Sequence, residues 1–206
     1  NVLHLTRLST IILFFGMNAL VSWESWGGEL VSSTAAHDGD FLTLRVRLGG
    51  EMQLFALDTG SQRTIFDKQL RIPLSAATHV ERKRAFATDN EEDLFSPPKM
   101  SVVGTKFGSV EFPEGSAVKR MDLSWIRRST KLPINGILGM DFLEQYAVKL
   151  NFAEGTVALL DSRKLDRKEL GVDVPIEIHD RRPFVELKTG SAEYWAMIDT
   201  RGLLTM

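Results

Sequence analysis

One short stretch of the chain governs the interpretation of all the rest. It reads Leu54-Phe55-Ala56-Leu57-Asp58-Thr59-Gly60-Ser61. Four consecutive apolar residues predict a buried strand, and this strand leads directly into a carboxylate. Gly60 lets the chain turn and bring its own N–H toward the Asp58 carboxylate, while Thr59 and Ser61 add hydroxyl donors. The stretch predicts a carboxylate held at a tight turn, although the tripeptide alone also fits a plain surface turn.

Short strand patterns surround this stretch. We predict strands at 64–66, 100–103, 109–112, 147–152 and 156–160. A polar segment at 80–95 is predicted to be an exposed flap hairpin with Asp89 and Asn90 at its turn, and short helices are predicted at 140–146 and around 124–128. Many short strands at this spacing favour an all-β domain. We expect a closed β-barrel lobe over 39–160, with one short helix, that at 140–146, packed on it.

The sequence pattern begins again after this lobe. The segments 184–188 and 196–200 repeat, in order, the segments 41–45 and 55–59. Asp199 thereby takes the place of Asp58, 141 residues further along, and the second copy is two residues shorter between its Phe and its Asp. A repeat of this kind indicates two similar structural units, the alternative being a coincidence between two amphipathic hairpins.

The remaining segments differ in composition. Arg7 precedes an uncharged and largely apolar run at 8–23, and a basic flank before a short apolar core is typical of a signal peptide. We predict that 1–26 is a signal peptide or a membrane anchor, the alternative being a buried core helix, and that the protein is exported (periplasmic or extracellular) or membrane-anchored. The charged segment 161–174 is predicted to be a linker, and 175–206 the truncated start of a second similar lobe.

Composition excludes several function classes. The chain has 206 residues, with 25 Lys and Arg against 27 Asp and Glu, and this near balance argues against nucleic acid as the main partner. It has no cysteine, which excludes disulfides, thiolate zinc sites, iron–sulfur clusters and cysteine nucleophiles. Its four histidines do not have metal-ligand spacing, so no metal site is predicted.

A second motif lies downstream of the Asp58 turn. It reads Gly136-Ile137-Leu138-Gly139-Met140-Asp141-Phe142-Leu143 and leads into the predicted helix. The Asp58 turn, the flap hairpin and the Ile137-Leu138-Gly139 element together resemble the retropepsin-like aspartic proteases, in particular the bacterial two-copy aspartyl protease group. The pattern of that family is an apolar strand into Asp-Thr-Gly-Ser, a flap hairpin, and two apolar residues with a glycine that open a short helix. The resemblance covers 39–160 well and 175–200 in part.

The resemblance implies an aspartic endopeptidase with a polypeptide substrate and no cofactor. Two aspartates in such an enzyme share a proton and hold the attacking water between them, since like charges that close cannot both ionise. Asp58 is one of the pair, and Asp199 is the natural second member in a single chain with two lobes. Thr59 is expected to grip the opposing loop, Ser61 to hydrogen-bond the Asp58 carboxylate, and 137–139 to support the turn from behind.

The second copy departs from the family pattern at Arg201, where the family has glycine. A side chain there is strained if the turn needs a positive φ, and its cation is expected to hold Asp199 ionised. Three interpretations stay open: the turn shifts so that Gly202 serves, the second lobe is degenerate, or Asp58 pairs with Asp58 of another subunit in a homodimer. The functional alternative to a protease is a catalytically inactive protease-like module that binds extended peptides or dimerises.

Overall fold

The described part of the chain is mostly β. The computed structural model describes the backbone of residues 2–6, 10–14, 28–34, 41–76, 82–85, 88–91, 94–151, 154–165 and 172–201. Side chains are described in the same ranges except 2–6, 10–14, 76, 82–85 and 88–91. Within these ranges the all-β prediction is confirmed, with two short α-helices and one 3-10 turn beside the strands.

The strands and helices follow the predicted order closely. The strands are β1 Val2–Thr6, β2 Thr10–Phe14, β3 Glu29–Thr34, β4 Thr43–Leu48, β5 Glu51–Leu57, β6 Ile65–Asp67, β7 Ser75–Ala76, β8 Arg82–Ala85, β9 Thr88–Glu91, β10 Phe95–Ser96, β11 Met100–Val103, β12 Ser109–Glu111, β13 Lys119–Met121, β14 Ile134–Leu138, β15 Ala147–Asn151, β16 Thr156–Leu160, β17 Val172–His179, β18 Arg182–Thr189 and β19 Ala192–Met197. The helices are α1 Ser124–Thr130 and α2 Met140–Leu143, and the 3-10 turn covers Ser162–Lys164. α2 is shorter than the predicted helix at 140–146, because the chain continues as a turn into β15.

One mixed sheet positions the Asp58 turn. Its strand order is β12-β11-β4-β5-β14-β6-β13. β4 buries Leu44, Val46 and Leu48 and exposes the residues between them, as expected for a strand with one face on a core. β14 runs parallel to β5 with Leu138 opposite Leu57. This register brings the end of the Ile137-Leu138-Gly139 element alongside the start of the Asp58 turn.

The sheet is open, so the prediction of a closed barrel is wrong. A closed barrel needs a partner on both sides of every strand. The edge strands β12 and β13 have three residues each, and they do not pair with one another in the described part of the chain. β12 instead lies against β3, which belongs to the other large sheet. The lobe is therefore built from two open sheets.

The core lies between these sheets and α2. Phe55 and Phe66 meet edge to face with their ring centroids 5.4 Å apart, and Phe112 stacks on Phe142 at 5.0 Å. As the sequence predicts, α2 turns Phe142 and Leu143 fully into the interior. Buried aromatic pairs of this kind fix the helix against the sheet and thereby the loop that precedes it.

A second large sheet contains the second copy of the repeat together with β15 and β16 of the first lobe. Its strand order is β19-β18-β17-β1-β2-β15-β16-β3. The backbone of 2–6 and 10–14 supplies β1 and β2, which lie between β17 and β15. The other residues of 1–26 lie outside the described residues, and the signal peptide or anchor stays a prediction. No helix in the described ranges has the length and apolar character needed to cross a membrane.

The predicted flap segment contains two paired strands. β8 and β9 run antiparallel with Ala85 opposite Thr88, so the link between them is 86–87. Asp89 and Asn90 lie within β9 and not at the turn, which corrects the predicted register of the hairpin. Residues 80–81, 86–87 and 92–93 lie outside the described residues, and the position of the flap over Asp58 stays a prediction.

The second copy repeats the β4–β5 hairpin without a gap. Leu44 pairs with Phe55 in the first copy, and Val185 pairs with Ala196 in the second. Val185 and Ala196 each follow their counterparts in the first copy by 141 residues, the same number that separates Thr59 from Thr200. The second hairpin is therefore not two residues shorter than the first, as the sequence comparison predicted. β17, which precedes this hairpin, begins at Val172 inside the predicted linker.

Candidate functional site

Asp58 lies where β5 ends, and its side chain is completely buried. Its Oδ1 accepts a hydrogen bond from Gly60 N at 2.8 Å, as the tight turn predicts. Its own backbone N–H donates to the Leu138 carbonyl at 3.0 Å, which fixes the turn to the end of β14. Ser61 does not serve as expected, because its Oγ donates to the Arg63 carbonyl at 2.8 Å and not to the carboxylate.

The support behind the turn comes from the start of α2. Met140 N donates to the Ser61 carbonyl at 2.8 Å, and a Cβ at Gly139 would lie 2.4 Å from the Arg63 carbonyl carbon. Glycine is therefore needed at 139 for the two loops to approach this closely. These contacts bring 137–139 and the Asp58 turn together in the arrangement that the sequence predicts.

Two residues that the sequence analysis did not single out brace this contact. The Thr64 hydroxyl donates to Asp141 Oδ1 at 2.9 Å and accepts from Gly139 N at 3.2 Å. The Thr64 backbone N–H donates to the same carboxylate oxygen at 2.9 Å. Burial raises the pKa of Asp141 and these hydrogen bonds oppose the rise. An acidic residue in the first turn of α2 was the only sequence signal for this brace.

The second turn reproduces the first. Asp199 Oδ1 accepts from Arg201 N at 2.8 Å, the same distance as the bond from Gly60 N to Asp58 Oδ1. Ahead of it, Ile198 N donates to the Pro183 carbonyl at 2.8 Å, and the equivalent bond in the first copy runs from Leu57 N to the Leu42 carbonyl at 2.8 Å. Arg201 therefore occupies the position that corresponds to Gly60.

The two turns are joined by an exchange of threonine hydroxyl groups. Thr59 Oγ1 donates to the Ile198 carbonyl at 2.6 Å, and Thr200 Oγ1 donates to the Leu57 carbonyl at 3.0 Å. Each hydroxyl also accepts the backbone N–H of the other threonine, at 3.1 and 3.0 Å. The pattern is reciprocal, as a two-fold axis between the turns requires, and Thr59 grips the opposing loop as predicted.

The reciprocal contacts bring the two carboxyl groups together. A Cβ at Gly60 would lie 2.8 Å from the Asp199 Cγ, so the absence of a side chain allows the approach. Burial raises the pKa of Asp58 to about 6, Arg201 opposes the rise, and the neighbouring Asp199 carboxylate adds to it. The structure thus places an acid with a displaced pKa beside a second carboxyl group within one chain.

Arg201 points across the axis to Asp58 and not to its own neighbour. Its Nε lies 2.8 Å from Asp58 Oδ2, and the expectation that it holds Asp199 ionised is not what the geometry shows. Oδ2 accepts no aligned hydrogen bond from the described residues, so this contact is an ion pair without a directed N–H. The turn needs no positive φ at 60 or 201, and Arg201 is accommodated without backbone strain. Gly202 lies outside the described residues.

Trp125 completes the surroundings of the pair. Its ring lies 5.3 Å from the Arg201 guanidinium carbon, and 44% of the residue is exposed. The ring is on α1, which Asp67 fastens to the sheet by accepting hydrogen bonds from Leu123 N at 2.8 Å and from the Arg127 guanidinium at 2.6 Å. Nothing in the sequence placed this helix beside the second copy.

The chain shows weak similarity to solved structures. No family model and no curated protein matches the chain. Among solved structures, the chain is similar to a retropepsin-like aspartic protease from Rickettsia conorii, with 16% sequence identity and a TM-score of 0.36. The similarity covers 63% of this chain and 87% of that one.

Proposed function

We propose that the protein is an aspartic endopeptidase of the retropepsin-like kind, with Asp58 and Asp199 of one chain as its catalytic pair. The observation that carries the proposal is the reciprocal threonine exchange, which presents two equivalent Asp-Thr turns to each other. The gapless repeat of the hairpins that lead into these turns supports assignment to the two-copy group.

The proposed reaction uses the pair as one acid and one base. With a single proton on the pair, the ionised carboxylate takes a proton from a water molecule as the water oxygen attacks the peptide carbonyl carbon. The protonated carboxyl group donates to the carbonyl oxygen, which gives a neutral tetrahedral diol. When the C–N bond breaks, the carboxyl group that took the proton from water gives it to the leaving nitrogen. One diol hydroxyl returns its proton to the other carboxylate, so that an amine and a new carboxylic acid are released and the pair again holds one proton. The raised pKa of Asp58 supports this scheme, because it allows one proton to stay on the pair in weak acid.

A second candidate is the inactive module that binds extended peptides. The contact of Arg201 Nε with Asp58 Oδ2 favours it, because the cation occupies the carboxylate oxygen that has no other described partner. Under this alternative the two turns serve only to join the copies.

The experiment that decides is hydrolysis of an unfolded polypeptide by the full-length protein between pH 3 and 8. Asp58→Asn and Asp199→Asn should each reduce cleavage by at least a thousandfold, because each removes one member of an acid–base pair. Asp180→Asn is the matched control, since it makes the same change at an exposed turn and should leave the rate unchanged. Full activity in Asp58→Asn would end the protease proposal, and an inactive wild type would favour the binding module.

We further propose that the pair forms within one chain and not between two. The hydrogen bonds between Thr59 and Thr200 support this, because they use both turns of the same molecule. The rate per chain should then stay constant on dilution from micromolar to nanomolar concentration. A homodimer of first copies would lose activity on dilution and would be indifferent to Asp199→Asn.

We also propose that the protein works outside the cytoplasm, either exported or held at the membrane. The support is the basic residue followed by the apolar run in 8–23. Fractionation of cells that express the full-length gene tests this. Recovery of the intact protein from the cytoplasm would contradict it.

A further inference from the structure

The residue that follows the threonine differs between the two turns, and it faces the opposite carboxyl group. Gly60 faces Asp199, with a Cβ position 2.8 Å from the Asp199 Cγ. The equivalent residue of the second copy is Arg201, which faces Asp58 with its Nε 2.8 Å from Oδ2. Arg201 therefore breaks the symmetry between the turns, since within the described residues it places a cation against Asp58 where Gly60 presents no side chain to Asp199.

Arg201 contacts the oxygen of Asp58 that the turn itself leaves open. Oδ1 is taken by Gly60 N, whereas Oδ2 has no aligned donor among the described residues. Within the described part of the chain, the charged groups that act on Asp58 are Asp199 and Arg201. On the neighbouring helices, Arg127 of α1 pairs with Asp67, and Arg63 beside α2 acts on Asp141. The guanidinium also has a second attraction in the Trp125 ring, which does not depend on the charge of Asp58.

We propose that Arg201 determines the pH range in which the pair carries one proton: its guanidinium binds Asp58 while that carboxylate is ionised and releases it, staying on Trp125, when the carboxyl group is protonated. The inference rests on the proposed function for its catalytic meaning. A nearby cation favours the ionised form of a carboxyl group and so keeps the proton off Asp58 until the solution is more acidic. Protonation removes the charge that Arg201 binds, so the same event completes the acid–base pair and frees Oδ2.

The contact of Arg201 is with the more buried of the two carboxyl groups, so it bears on protonation and not only on the packing of the turns. The residue opposite Asp199 is glycine, and Asp199 is partly exposed whereas Asp58 is completely buried. A cation on the buried carboxylate counteracts the effect of burial, which raises the pKa of Asp58. Without Arg201, the pair should hold its proton to a higher pH.

The test follows the protonation of Asp58 directly, by the carboxyl carbon NMR signal of the full-length protein between pH 4 and 8. The signal is assigned by its loss in Asp58→Asn. In Arg201→Met the midpoint should rise by about one pH unit, the lower end of what a neighbouring cation does, and in Arg201→Lys it should move less. In Asp180→Asn the midpoint should not change. The Nε–H signal of Arg201 should shift with the same midpoint in the wild type and stay flat in Asp58→Asn.

The pH dependence of peptide hydrolysis is the second measurement. The alkaline limb of the pH–rate profile should move upward in Arg201→Met by the same amount as the Asp58 midpoint. An unchanged Asp58 midpoint in Arg201→Met, or an Arg201 signal that titrates equally in Asp58→Asn, overturns the inference. A third outcome separates the two proposals. If the wild type and Arg201→Met both fail to cleave peptide at any pH while the midpoint of the Asp58 titration moves as expected, the role of Arg201 in the protonation of Asp58 is supported and the proposed protease function fails.

Discussion

Under the proposed function, the missing side chain of Gly60 should matter more for activity than for stability. A Cβ there would lie 2.8 Å from the Asp199 carboxyl group, which is the mobile end of a side chain and can move away. We expect Gly60→Ala to lower the free energy of unfolding by less than about 1 kcal/mol. Because Asp199 must leave Asp58, peptide hydrolysis should fall by about a hundredfold or more.

Gly190 is the control, because a side chain there is expected to affect stability and not activity. A Cβ added to it would meet nothing within 4 Å, but the residue adopts a φ of +61° at the turn of the β18–β19 hairpin. Gly190→Ala should cost about 1 kcal/mol through backbone strain and leave hydrolysis unchanged. Urea unfolding and rate measurements on both variants check the pair. A loss of stability without a loss of rate in Gly60→Ala contradicts the role given to Asp199.

For single residues, the sequence predicts contacts within one turn and misses contacts between the two copies of the repeat. The bond from Gly60 N to Asp58 Oδ1 follows from the tripeptide itself, because two residues suffice to form it. The orientation of the Arg201 side chain cannot be predicted in this way. Its partner, Asp58, is distant in the chain and comes close only when both turns have formed. The same is true of Trp125.

A buried ion pair anchors α1 to the sheet, in addition to the packing of the buried Ile126. Asp67 is 1% exposed and bonds Leu123 N and the Arg127 guanidinium. Arg127→Met leaves this carboxylate buried without its cation, and the expected loss is about 3 kcal/mol of unfolding free energy. Arg128→Met is the control, since Arg128 bonds the hydroxyl of Ser124 at an exposed position, and it should stay within about 0.5 kcal/mol of wild type. Equal losses in both variants, measured by urea unfolding, would show that the pair does not anchor the helix.

Elements with clear local patterns were predicted, and their assembly was not. The limits of β11 and β16 agree with the sequence to the residue, because apolar runs bounded by turn residues fix them. The closed barrel failed because closure depends on two three-residue edge strands, whose pairing no local pattern encodes. The flap register failed since Asp89 and Asn90 favour turns locally but pair within β9.

The molecule as a whole should become more stable in weak acid, and Asp58 is a principal cause. Its pKa in the folded protein is about 6 against 3.8 for an ordinary aspartate, so the native state binds this proton first as the pH falls. The buried, ionised Asp58 carboxylate lowers the free energy of unfolding above pH 6, and this loss is removed as the pH falls from 6 to 4. Because the group is fully buried, the gain amounts to roughly 3 kcal/mol.

Urea unfolding at pH 4 and pH 7 measures this gain. Asp58→Asn cannot take up the proton and should lack this part of the pH dependence, whereas Asp180→Asn should keep it. The raised pKa of Asp141 acts in the same direction and is present in all three proteins, so their difference isolates Asp58. Parallel pH dependences in the wild type and Asp58→Asn would contradict the displaced pKa.

The threonine exchange also bears on the order in which the molecule folds. Thr59 and Thr200 are 141 residues apart in the chain, so their meeting closes a very long loop and has to wait for the elements between them. A molecule that has formed only its first copy has an isolated Asp58 and no acid–base pair. Under the proposed function, newly made chains should therefore be inert toward their unfolded neighbours until assembly is complete. Hydrolysis should return after the β-sheet circular dichroism signal when the denatured protein is refolded.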